Sequence, residues 1–279
     1  MNIQTKASFK KELLAFFRTH MFVSIAGVII GLSIFSPLLF AGMGALMDAM
    51  SDIYNEMGMD VSEMTELLSS SASMGVSFSV ESIAGTGLIV LLLLINQAAG
   101  GEQKKRAMII PKSAGLRGFA YIFPKFIIYP LSAFILAVLA MLASWPISIL
   151  VFEVNDVSFY NVLLAGVLAG VSMMFYVCCH LTLGTATGKA GLSAAVCITV
   201  SVILPLIFSA VSTDYMFNPF ALGYLAASVA VSDSIPGSDL LDIMISIGFA
   251  LGIMVVTYFI ALFVQNARKI DNSGNEIDL

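Results

Sequence analysis

Charged side chains make up only 11% of the 279 residues, against roughly 25% in soluble domains. Hydrophobic residues take 59%, where about 45–50% is usual, and the mean hydropathy is +0.97. A water-soluble globule of this composition could not cover its surface, so the chain reads as an integral membrane protein. Histidine (2) and cysteine (3) are scarce, too few for a typical metal site or disulfide framework. Cys178, Cys179 and Cys197 also lie inside apolar runs, which argues against structural disulfides. Ten-residue stretches of strict apolar–polar alternation are missing, which excludes a barrel. Continuous apolar runs of about twenty residues take their place, the length a helix needs to cross ~30 Å of hydrocarbon. No GxSxG, HExxH or paired-carboxylate pattern occurs within a span, so an intramembrane hydrolase is not indicated. The first apolar run is long and lacks a small-residue cleavage site, so no removable signal peptide is expected.

The sequence predicts an all-α protein of six spans, over Met21–Leu46, Ser82–Ala99, Phe119–Val151, Phe159–Leu183, Leu192–Val211 and Leu241–Val264. The third run exceeds one crossing, with Pro130 and Pro146 as candidate hinges. Orientation follows from the cations. Lys6, Lys10, Lys11 and Arg18 precede the first span. Lys104, Lys105, Arg106, Lys112, Arg117 and Lys125 lie in or beside the second inner connection. Lys189 follows the fourth span, and Arg268 and Lys269 follow the sixth. These are all 13 cations, and a six-span topology puts every one on one side. Most acids, among them Asp48, Glu63, Glu81, Glu153 and Asp214, fall on the other. Both termini are therefore expected in the cytoplasm of a cell whose plasma membrane holds the protein.

Segments outside the spans have their own patterns. Over residues 1–20, Phe9, Leu13, Phe16 and Phe17 recur at helical spacing with lysines on other faces, as in a helix lying on the inner leaflet. In the outer connection 47–81, Met47, Met50, Tyr54 and Met57 form an apolar stripe. Gly58 can end that helix, and Asp60 with Glu63 fits a capping box for a second one through Leu68. The methionine cluster there suggests thioether copper binding, but no histidine or cysteine supports it, and methionine readily fills an apolar face. Over 212–240, Asn218-Pro219 precedes about twelve mostly apolar residues from Phe220 to Val231. That is too short to span, and it is expected as an outer re-entrant or interfacial helix. Gly27 with Gly31, Gly166 with Gly170, and Gly248 with Gly252 are small-residue pairs that let helices approach closely.

Groups that could carry chemistry are few. Lys125 and Asp242 are expected near span ends, within reach of the interface. The absence of mid-membrane charge counts against a proton- or ion-coupled carrier. Cys178, Cys179 and His180 are consecutive, hence about 100° apart on a helix, and do not converge. Residues 184–190 (GTATGKA) superficially resemble a phosphate loop. The glycines are one residue too close, and Ala190 stands where serine or threonine is required. A tight turn is expected there, and the chain has no ATP-binding module of its own.

The most informative stretch is 101–125, GEQKKRAMIIPKSAGLRGFAYIFPK. Glu102 follows directly on the second span. Lys104, Lys105 and Arg106 open a basic, partly apolar segment, followed by Pro111, Lys112 and Ser113, then Arg117 and an aromatic-rich helix start bearing Lys125. With the six-span layout, this resembles the membrane subunits of ABC transporters of the type 2 exporter family. There an acid ends the second span, a short coupling helix and a Ser/Pro-rich element follow, and a lysine lies on the helix entering the third span. Lys105-Arg106-Ala107 stands where many members have Gly-Thr, and the loop is shorter. The resemblance implies a permease without a catalytic residue, cofactor or metal of its own. It further implies two copies of a separate ATP-binding cassette subunit that holds ATP and magnesium, and a second permease subunit, identical or related. Residues 100–118 would be the coupling loop and 268–279 a cytoplasmic tail. The cargo would be a lipophilic drug, lipid or amphipathic peptide. The rival readings are an ATP-independent carrier or channel, a lipid-modifying enzyme, and a peptide-immunity or sensing component. As an interface residue, Glu102 is expected to tolerate alanine at a cost within about 0.5 kcal/mol.

Overall fold

The computed structural model describes residues 3–56, 71–102, 115–152, 154, 156–211, 218–232, 237–267, 269–270 and 276–277. Helix α1 covers Ile3–Arg18. A turn at Thr19–His20, with His20 at φ 57°, leads into α2, Met21–Glu56. The second spanning element is composite: α3 (Ala72–Ser82), a π turn (Ile83–Gly87), α4 (Leu88–Leu94) and a second π turn (Gln97–Gly101). Then come α5 (Gly118–Val151), α6 (Phe159–Thr187), α7 (Ala190–Val211), a 3₁₀ turn at Pro219–Ala221, α8 (Leu222–Val231) and α9 (Gly237–Ala267). The fold is all-helical. The exception is a two-residue antiparallel ladder that pairs Lys269 with Ile277 and Ile270 with Glu276.

Among the described residues, six helices are long and apolar enough to cross a membrane: Met21–Ser51, Ala72–Leu94, Gly118–Val151, Phe159–Thr187, Ala190–Ile207 and Leu240–Ala267. The count matches the sequence, but two boundaries move. The stripe Met47–Met50 continues the first spanning helix unbroken to Glu56 instead of forming a separate outer helix. The second spanning helix starts at Ala72, ten residues before the predicted Ser82. Its first turns (ASMGVSFSVES) are serine-rich, which lowers their hydropathy, yet Ser73 and Ser79 are buried. Their hydroxyls are satisfied within the bundle. Ser79 donates to the carbonyls of Gly75 (3.0 Å) and Ser33 (3.1 Å) and accepts from Ser144 (2.8 Å), and Ser33 donates to the Ala140 carbonyl. Such bonds join helices where water is absent. The second helix of the outer connection, Asp60 to Leu68, and Gly58 lie outside the described residues.

The fourth spanning helix, α6, is the centre of the bundle, 72% buried over its most apolar window, whereas α7 and α9 are 17% buried. Gly166 and Gly170 explain its close approach to α5. A Cβ on Gly170 would stand 2.7 Å from the Phe134 ring, and one on Gly166 3.2 Å from the Met141 Cβ. Gly27, Gly31, Gly248 and Gly252 have nothing within 4 Å of such a Cβ; these two pairs pack no helix of this chain among the described residues. Pro130 and Pro146 lie inside an uninterrupted α5.

Away from the basic loops, Asp156 caps the second spanning helix from a different connection. It accepts from the Ser73 amide (3.0 Å) and from the Ser71 and Ser73 hydroxyls (2.5 and 2.6 Å). Burial would raise its pKa, but these bonds hold it below the usual carboxylate range. Asn218 accepts from the Phe220 amide (3.1 Å) and starts the helical stretch leading into α8. Small residues Ala226, Ala227 and Ala230 bury α8 against α3 and α6, and Ser77 donates to the Ala227 carbonyl (3.3 Å).

Candidate functional site

The structure draws three separate segments together where the second spanning element ends and the third begins. Glu102 is the first residue past the π turn Gln97–Gly101. That turn fits tightly on the end of α6: a Cβ on Gly100 would lie 2.7 Å from the Gly184 carbonyl oxygen, and one on Gly184 would overlap the Ala99 carbonyl. Gly188, left-handed at φ 66°, closes α6 with its amide on the Gly184 carbonyl (2.9 Å). The phosphate-loop lookalike is thus a helix-ending turn in which Gly184 serves packing and Gly188 the left-handed cap. Single π turns are rare and concentrate at functional sites; this one aims Glu102 at α5.

On α5, Tyr121 and Lys125 are one turn apart and share a face. Lys125 Nζ lies 2.6 Å from Glu102 Oε2 and also donates to the Ala98 carbonyl (2.9 Å) and the Tyr121 hydroxyl (2.8 Å). The Tyr121 hydroxyl donates to Glu102 Oε2 (2.9 Å), and the ammonium stands 4.2 Å from the Tyr121 ring centroid. All three ammonium donors therefore have acceptors. From α1, Lys11 reaches Glu102 Oε1 (3.2 Å), and the adjacent Glu12 accepts from the Tyr129 hydroxyl (3.3 Å). Phe16 anchors α1 beside them, edge-on to Tyr129 at 5.5 Å.

The Lys125 side chain is 2% exposed and that of Glu102 18%. This corrects the expectation that Lys125 snorkels to the interface: its ammonium is consumed by partners inside the protein, so it has no reason to reach water. It also corrects the expectation that Glu102 tolerates alanine, since truncation would strand a buried cation. Burial would raise the Glu102 pKa, but the charge and hydrogen bond of Lys125, the charge of Lys11 and the Tyr121 hydroxyl hold it down at about 2. The carboxylate is thus firmly ionised at neutral pH.

Of the other residues singled out in the sequence, Arg117 is exposed at the N-cap of α5. Lys104, Lys105, Arg106, Pro111, Lys112 and Ser113 lie outside the described residues. Lys11, Glu12, Tyr121 and Tyr129 were not foreseen. The signal for the tyrosines was available: aromatic hydroxyls at 121 and 129 bracket Lys125 at helical spacing. Glu12 is the only acid in α1, set among four cations, yet it is the buried one (3% exposed). Cys178, Cys179 and His180 do not converge. His180 Nδ1 pairs with the Ser193 hydroxyl (2.8 Å), which also donates to the His180 carbonyl (2.7 Å). No cluster of three or more metal-ligating side chains occurs among the described residues. No protein-family model matches the chain, and no curated protein matches it.

Proposed function

We propose that this chain is the permease subunit of an ATP-driven exporter of the ABC type 2 kind, the family its sequence resembles. The observation that supports this best is the Glu102–Lys125 pair. A loop that receives a motor's stroke must have both ends fixed to helices, or the stroke is lost in bending. Glu102 and Lys125 bracket the basic loop from Lys104 to Arg117 and tie its two flanking helices together at 2.6 Å. Lys11 brings α1 into the same knot.

In this reading the basic loop faces the cytoplasm and docks on an ATP-binding cassette subunit, present as a pair, which holds ATP and magnesium. A second permease subunit, identical or related, completes the path. The uncovered pairs Gly27/Gly31 and Gly248/Gly252 give it close-packing faces. The chain itself performs no catalysis; it alternates between inward- and outward-open states. α1 lies on the inner leaflet, α8 is re-entrant on the outer side, both termini are cytoplasmic, and the plasma membrane is the site of action. A lipophilic or amphipathic cargo fits an apolar lateral cleft of about 470 Å³, lined by Phe119, Phe123, Phe126, Met174, Met254 and Tyr258 among others.

The test is triple reversal of Lys104, Lys105 and Arg106 to glutamate, with Lys189→Glu as control. The triple variant is expected to lose its ATPase partner on co-purification, with a salt-dependent defect that is largest at low ionic strength, and to lose substrate-stimulated ATP hydrolysis in lipid. A triple variant that binds its ATPase and couples hydrolysis to export normally would reduce the loop to a topology signal.

A further inference from the structure

We propose that the groove between α1 and α5 is a binding site for one anionic phospholipid of the cation-rich leaflet. The inference needs only the membrane placement of the six spans and holds whether or not the chain is an exporter. The groove has a volume of about 250 Å³. Phe9, Leu13, Phe16, Phe17 and Phe22 wall one side, and α5 walls the other from Ile127 to Leu139. Leu131, Ile135 and Leu139 repeat every four residues and form one exposed row, 46–48% accessible. From residue 127 to 139 a helix rises about 18 Å, close to the roughly 15 Å hydrocarbon depth of one leaflet. The slot therefore has the length of an acyl chain that enters at the surface and stops near the midplane.

The polar end of the site is on α1. Lys6, Lys10, Leu13 and Phe17 follow one another at spacings of four, three and four, so they lie in a single row along the helix. Leu13 and Phe17 in that row line the groove, and Lys6 and Lys10, both exposed, continue it beyond the groove. A lipid whose chain runs along Leu131, Ile135 and Leu139 thus has two ammonium groups in reach of its phosphate. The acids in the neighbourhood are engaged by other partners: Glu12 is buried and accepts from the Tyr129 hydroxyl, and Glu102 is held by Lys125 and Lys11. Charge complementarity therefore favours an anionic headgroup over a zwitterionic one, and the apolar slot favours a phospholipid over free phosphate.

The experiment uses the full chain, delipidated in detergent and titrated with dioleoyl phosphatidylglycerol, dioleoyl phosphatidylcholine or inorganic phosphate, with binding read by native mass spectrometry. One phosphatidylglycerol should be retained per chain in preference to phosphatidylcholine, and inorganic phosphate should not be retained. Lys6→Gln with Lys10→Gln should weaken phosphatidylglycerol by about twenty-five-fold, at roughly fivefold for each lysine near a phosphate, and leave phosphatidylcholine unchanged. Arg18→Gln, off the row, should change neither. Leu131→Trp with Ile135→Trp fills the slot at exposed positions and should abolish retention while the melting temperature stays near that of the parent. Equal retention of the two lipids, equal effects of the lysine and Arg18 variants, retention that survives the tryptophans, or retention of phosphate alone would each overturn the proposal.

Discussion

Glu102→Ala separates a buried ion pair from a water-exposed interface residue. The carboxylate falls from its ordinary 4.5 to about 2 in the folded protein, and at about 1.4 kcal/mol per pH unit this corresponds to about 3 kcal/mol of stabilisation at neutral pH. Independently, removing one partner of a buried pair costs roughly 3–5 kcal/mol, because the remaining charge is stranded. Both routes give several times the ~0.5 kcal/mol of an ordinary surface change. Lys125→Met should cost a comparable amount. The double variant should recover most of the loss, since a buried pair is often no more stabilising than apolar side chains of similar volume. Cys178 and Cys197 are buried, so a thiol-reactive dye reports unfolding in detergent. A loss of about 3 kcal/mol should lower the midpoint on the order of 6–12 °C, on the scale of soluble domains. A Glu102→Ala midpoint within 1–2 °C of the parent, or single losses that simply add in the double variant, would refute a buried Lys125–Glu102 pair.

Five further outcomes are expected. Because the folded pKa of Glu102 is lowered, its contribution is present above about pH 4.5 and fades as pH falls toward 2; dye-monitored melts should show this acid loss in the parent and not in Glu102→Gln. Gly184→Ala should destabilise by about 1–3 kcal/mol, since its Cβ would overlap the Ala99 carbonyl. Gly248→Leu with Gly252→Leu should leave the isolated subunit's melt unchanged but weaken subunit pairing, read by mass photometry. Asp156→Ala should cost about 1–2 kcal/mol as a lost cap, and cysteines placed at 6, 156 and 189 should react with an impermeant reagent from outside only at 156.

The spans were legible because each needs about twenty apolar residues, and that signal survives any packing arrangement. The shift of the second span from Ser82 to Ala72 was not, because hydropathy scores a serine by its water affinity, whereas Ser79 spends its hydroxyl on Gly75, Ser33 and Ser144. Glu102 and Lys125 stood out in the sequence by their positions at the two ends of a basic loop. Their contact was not, since 23 residues separate them and only the folded geometry closes that distance. Lys11 and Glu12 were harder still. The periodicity of α1 assigns its phenylalanines to the apolar side, but which side faces α5 is decided by the partner, and there Phe16 and Glu12 are buried while Phe17 is half exposed.

The arrangement at this junction links two properties that pull in opposite directions. In the proposed exporter a lever must be stiff where it joins the moving helices, and the Glu102 knot would supply stiffness through short, directional bonds that apolar packing would not give. A lever must also let its helices slide, and the pair is attached to α1 through Lys11, whose side chain is 59% exposed. An exposed ion pair is worth about 1 kcal/mol or less, so α1 can release Glu102 at little cost while Lys125 retains it. In the proposed exporter the second and third spans would therefore move as one body at this junction, with α1 held to them by Phe16 and Glu12 against Tyr129 rather than by its ion pair.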